Sequence, residues 1–185
     1  MRTKTNKGFT LLEIMVVVVL ISILAAVATP QINQAFDSYQ FSNGMRMVLN
    51  TINRAKGEAM NSGLFTSVNF TTDANGRVNY TAFVDDGIGG GITRNGIRDG
   101  AERLITAGRL PTGVSIIMGN TTFQRVGANP FTQFNYLGMP NGTDPANGAA
   151  LINYSGDIMF SSLIRGIART QTIQIGVGGS LGILR

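Results

Sequence analysis

The chain has 185 residues and contains neither cysteine nor histidine. The missing cysteines exclude a disulfide framework, a zinc–thiolate site and a thiol nucleophile. The missing histidines remove the commonest general base and the commonest nitrogen metal ligand, so the expectation is a protein that is not an enzyme and holds no cofactor. The formal charge is +5, but Arg2, Lys4 and Lys7 all precede Gly8. The remainder is close to balanced, which is weak support for a polyanionic partner.

The first element in chain order is the apolar run from Phe9 to Ala28, interrupted only by Thr10, Glu13 and Ser22. Its length matches the ~20 apolar residues that a membrane-spanning helix needs. The basic cluster before it predicts a cytoplasmic N-terminus and a translocated remainder. Glu13 is the anomaly, because a charge at the centre of a bilayer costs about 2.5–3.5 kcal/mol and calls for a partner. A cleaved secretory signal peptide and a plain signal anchor both fit the apolar run. Neither has a use for Glu13.

The stretch Lys7–Gly8–Phe9–Thr10–Leu11–Leu12–Glu13 resembles the type IV prepilin signal shared by type IV pilins and the pseudopilins of type II secretion. The resemblance implies cleavage between Gly8 and Phe9 by a prepilin peptidase that also N-methylates the new terminus at Phe9. It further implies an assembly role for Glu13, with Pro30 where many members carry a proline. Cleavage would create an α-amine on Phe9 one helical turn from Glu13, and residues four apart share a helix face. Glu13 would also oppose the positive end of the helix dipole. Its charge could then be met within the chain or by the Phe9 amine of a neighbouring subunit.

Pro30 lacks an N–H and is expected to kink or break the helix. Beyond it the helical period resumes, with Ile32, Ala35, Phe36 and Tyr39 on one face. Met45, Val48, Ile52, Ala55 and Ala59 follow at spacings of three and four. Gly44 and Gly57 weaken the helix locally, and Gly63 reads as its C-terminal cap. Short alternating segments come next, at 64–70, 77–85, 102–107, 114–118, 132–137, 150–155, 157–163 and 172–177. Turn signals separate them: 72–76, 154–157 and the Gly/Asn/Asp-rich stretches 85–100 and 138–148. The predicted fold is α+β: a long N-terminal α-helix packed on a C-terminal antiparallel β-sheet head. The predicted organisation is a leader over 1–8, an assembly helix over 9–29, an amphipathic continuation over 30–62 and a head over 63–185.

The helix end is also similar to the GspH/FimT family of minor pseudopilins and pilins, through Arg54, Ala55, Glu58 and Ala59, with one extra residue between Ala55 and Glu58. Tyr80 and Phe83 stand where that family often carries a tryptophan. Asp85, Asp86 and Asp99 bracket the glycine-rich loop in a way that could suit Ca²⁺, but their spacing does not match an EF-hand. A solvated, turn-forming acidic loop is the stronger reading. No Lys-Ser/Thr follows the glycines, so a P-loop is excluded. Some FimT-like pilins bind DNA through basic residues near the C-terminus, where this chain has Arg165, Arg169 and Arg185. The competing reading is that these arginines guard strand edges.

The sequence thus points to a structural minor pilin or pseudopilin of the bacterial inner membrane. Its partners would be the prepilin peptidase, other pilins or pseudopilins and an inner-membrane assembly platform. DNA uptake is the alternative within that class. A signal-anchored periplasmic binding protein or enzyme is the alternative from outside it.

Overall fold

The computed structural model describes residues 8–117, 121–126, 128–143, 150–152, 155–164 and 167–184. The chain divides into two compact units, Met1–Tyr39 and Gln40–Arg185. The described residues of the first unit are helical from Leu11 onward. Helix α1 (Leu11–Ser62) starts there, continues through Pro30 and ends in the second unit. Ser22 and Thr29 donate their hydroxyls to the carbonyls of Val18 and Ala25, each at 2.7 Å, so both polar groups are satisfied within the helix. Ile32, Phe36 and Tyr39 are exposed and, with Ala35, line one shallow apolar concavity, as the spacing predicted.

The second unit packs the later part of α1 against antiparallel strands. Phe41, Met45, Val48, Ile52, Ala55 and Ala59 are buried at its core. Two alanines in that row leave room for the sheet to approach closely. Gly44 has the same use, since a Cβ there would lie 2.9 Å from Pro111 Cδ. A glycine in a helix interior costs about 1 kcal/mol against alanine, and here the missing side chain admits Pro111. The helix ends at a left-handed glycine, Gly63, with φ of 72°. Its N–H bonds to the Ala59 carbonyl at 3.0 Å, which satisfies one of the terminal acceptors.

The strands are β1 (Thr66–Thr72), β2 (Val78–Val84), β3 (Leu104–Arg109), β4 (Val114–Ile116), β5 (Gln124–Val126), β6 (Asn129–Phe134), β7 (Pro140–Thr143), β8 (Ala150–Ile152), β9 (Gly156–Ile164), β10 (Ile167–Ile175) and β11 (Leu181–Leu184). One sheet runs β3-β2-β1-β6-β7-β8, with β5 also paired to β6. The other runs β11-β10-β9-β4. Every pairing is antiparallel. Both sheets share the core with α1. Phe70 of β1 meets Phe160 of β9 edge-on at 5.9 Å between ring centroids, a favourable aromatic geometry.

Several boundaries differ from the sequence reading. The strand read over 132–137 lies instead at Asn129–Phe134. Asn135 ends it, because its Oδ1 accepts the N–H groups of Leu137 (2.9 Å) and Met139 (3.1 Å) and folds a turn. The stretch 138–148, read as loop, contains β7, with Pro140 at the first strand position, where its missing N–H does least harm. Strand β5 gave no signal in the sequence reading. The turn read over 154–157 lies partly outside the described residues.

The β1–β2 hairpin is held by Asp73. Its Oδ1 accepts the N–H groups of Asn75 and Arg77, both at 2.9 Å. The bond from the Arg77 backbone holds this carboxyl below its ordinary value.

Candidate processing and assembly site

Gly8, Phe9 and Thr10 lead into α1 as exposed, non-helical residues. Thr10 is the N-cap: its Oγ1 accepts the Glu13 N–H at 3.2 Å, and its carbonyl accepts the Ile14 N–H at 3.3 Å. Thr10 and Glu13 have the Ser/Thr-x-x-Glu spacing of a capping box. The side chain of Glu13 is exposed in the first turn, where a carboxylate is favoured by the helix dipole. The cap was visible in the sequence as that four-residue spacing.

The apolar side chains that follow are all exposed in this unit, from Phe9 at 78% through Val17 at 46% to Val27 at 61%. Full burial of each such side chain is worth about 1.5–3 kcal/mol. A run of this size therefore has to be covered by lipid or by other chains. Among the described residues, α1 is one helix long and apolar enough to cross a membrane.

In the second unit the helix-end residues fall into distinct places. Ala55 and Ala59 are in the core. Glu58 forms an ion pair with Arg103, just before β3. Arg54 is exposed and borders a small cavity with Thr51, Tyr80 and Thr106. Lys56 donates to the Gly179 carbonyl at 2.8 Å, which ties the helix to the β10–β11 turn.

The acidic loop is knotted onto its own backbone. Asp85, 1% exposed, accepts Ser67 Oγ at 2.6 Å, the Gly96 N–H at 2.9 Å and Gln133 Nε2 at 2.9 Å on one oxygen. Its other oxygen accepts the Arg94 N–H at 2.5 Å. Arg94 is a non-glycine residue with φ of 60°, and its guanidinium lies 4.5 Å above the Phe65 ring. Glu102, equally buried, accepts the N–H groups of Gly87 (3.0 Å) and Asp99 (3.1 Å). Asp99 accepts the Ile92 N–H and Asn95 Nδ2, and Asp86 accepts the Ile88 N–H. Burial pushes both Asp85 and Glu102 above the ordinary carboxylate range, against the pull of these bonds. Asp85 is therefore not the solvated loop residue that the sequence suggested, and its oxygens are used as acceptors for the loop. Among the described residues no group of three or more acidic side chains is arranged to hold a metal ion.

Arg169 lies exposed on β10, opposite Ser162 of β9. Arg165 and Arg185 lie outside the described residues.

Residues 3–29 match the prokaryotic N-terminal methylation motif. Together with the apolar helix, this motif supports a type IV prepilin-like protein anchored in a membrane by a single pass, processed by a prepilin peptidase and assembling with other pilins. Comparison with the curated proteins and with the solved structures gives no match.

Proposed function

We propose that the chain is a minor pilin or pseudopilin: a structural subunit, cut between Gly8 and Phe9, N-methylated on Phe9 and built into a filament through α1. The observation that carries this reading is the methylation motif over 3–29 ending in a capped, lipid-length helix with an exposed Glu13 in its first turn. The Glu13 carboxylate is exposed, and among the described residues it forms no ion pair, so a cation from outside the helix can meet it. Without the leader, the nearest one is the α-amine of Phe9, its own or that of a neighbouring subunit. A pair across subunits would fix the axial register of one helix against the next, since an unpaired charge in lipid is costly. The N-terminus would be cytoplasmic before processing and the head periplasmic.

The test has two readouts. Mass mapping of the membrane-extracted chain should give an N-methylated terminus at Phe9, and a terminus near Thr29 would mark an ordinary secreted protein instead. Glu13→Ala should leave that terminus unchanged but reduce recovery in sheared filaments by about tenfold, in line with ~1.4 kcal/mol or more for a desolvated pair. Equal recovery of mutant and wild type would remove the assembly role of Glu13.

A further inference from the structure

A cavity of about 230 Å³ lies where α1 meets β2 and β3. It is lined by Met47, Asn50, Thr51 and Arg54 of α1, Tyr80 of β2 and Thr106 of β3. The four helix residues are spaced three and four apart, a single stripe beside the core-facing row. Strand β3 is the last of its sheet. Tyr80 pairs with Gly108 across β2 and β3, and a Cβ on Gly108 would collide with the phenol oxygen. The missing side chain lets the ring lie across β3.

The lining is a set of donors without partners. Thr51 is 6% and Tyr80 4% exposed. Their hydroxyls nevertheless keep accessible surface and make no hydrogen bond among the described residues. Arg54 forms no ion pair among the described residues, and Glu58, one turn further along the helix, is taken by Arg103. Asn50 and Thr106 add an amide and a third hydroxyl. No acidic side chain lines the cavity, so its one formal charge is positive.

We propose that this cavity binds a phosphate group, either as inorganic phosphate or as the head of a small phosphomonoester. The Arg54 guanidinium takes two oxygens as a fork, the geometry in which arginine meets phosphate. The hydroxyls of Thr51, Tyr80 and Thr106 and the Asn50 amide serve the other oxygens from three separate elements. Donors spread in this way suit a tetrahedral anion, whereas a carboxylate offers two oxygens in one plane. The volume lies below the ~300–1,000 Å³ of pockets for drug-sized ligands, so it suits a single phosphate group and not a whole nucleotide. An amine would find no counter-charge there.

The experiment is a calorimetric titration of the full-length protein, in a non-ionic detergent and a phosphate-free buffer alkaline enough to keep the probe dianionic. Sodium phosphate is the probe, and sodium chloride at matched ionic strength is the control. Saturable heat is expected with phosphate alone. Arg54→Gln should weaken phosphate about tenfold, as the loss of a charge-assisted pair implies. Tyr80→Phe should weaken it several-fold and leave the urea midpoint without phosphate unchanged, because the lost hydroxyl has no partner in the fold. No saturable heat with the wild type, equal heat with chloride, or a lowered midpoint in Tyr80→Phe would each overturn the proposal. Unchanged phosphate binding in either variant would also overturn it and mark an adventitious ion only. Glycerol 1-phosphate separates the two sources. Binding as tight as that of phosphate assigns the site to monoesters, and binding of phosphate alone assigns it to the free ion.

Discussion

Asp85→Ala is expected to destabilise the head by about 3 kcal/mol or more, at the upper end of single substitutions. Four donors converge on this carboxylate: the Ser67 hydroxyl, the Gln133 amide and the N–H groups of Arg94 and Gly96. Removing the acceptor leaves the Ser67 hydroxyl and the Gly96 N–H buried without it, at about 1–3 kcal/mol each, while the Gln133 amide keeps its bond to Ser67 Oγ and the Arg94 N–H lies nearer solvent. The sum is not realised in full, because the ionised carboxylate has itself been taken out of water, and that penalty disappears with it. The desolvation shows in the pKa, which burial raises above the ordinary 3.8. A raised folded value means that folding takes up a proton, so this term favours the fold most at low pH and is lost as pH rises from the ordinary value through the folded one. Glu102 contributes with the same sign. Urea unfolding of the variant should therefore show a lower midpoint at neutral pH and a shallower pH dependence in the mildly acidic range. An unchanged midpoint would mean that the knotted loop is incidental to stability.

Gly8→Val is expected to abolish processing outright, with Gly8→Ala slowed. Nothing in the fold demands glycine at this position: a Cβ on Gly8 would meet no atom within 4 Å, and Gly8 is not among the glycines of positive φ. On the proposed cleavage, a requirement for glycine would come from the peptidase, whose active site would draw the scissile backbone close, so that bulk at that point would block the approach. Mass mapping of the membrane fraction reads the result directly. A mature terminus at Phe9 in the Gly8→Val chain would show that the enzyme does not need glycine there and would weaken the leader assignment.

The helix was the most legible part of the chain. Met45, Val48, Ile52, Ala55 and Ala59 repeat at helical spacing, and all five are fully buried. Gly63 closes the helix where a capping glycine was expected. The longer strands were legible for the same reason, since alternation over six or more residues is a strong local signal. Two of the longer strands were read only in part, β6 displaced by three residues and β10 without its first half, and the rest of what failed was short or irregular. Strand β7 opens on a proline and reads as a turn, and β5 is three residues paired with β6 alone. The carboxylate network was hidden for a different reason. Ser67, Asp85, Gly96 and Gln133 are far apart in sequence, and only the β1–β6 register, with Ser67 opposite Gln133, brings them together. Composition identified the loop as acidic and glycine-rich. It could not say that the acid groups bind the loop's own backbone instead of water.

Lys56 has a practical consequence for labelling. The chain has three lysines, two of them in the leader at positions 4 and 7. The third is held against the Gly179 carbonyl at 2.8 Å. On the proposed cleavage, an amine-reactive dye should thus distinguish the precursor, which carries the α-amine and the ε-amines of Lys4 and Lys7, from a mature chain whose remaining ε-amine is engaged at the turn between the last two strands. Slow labelling at Lys56 would then double as a probe of whether that turn stays docked on the helix.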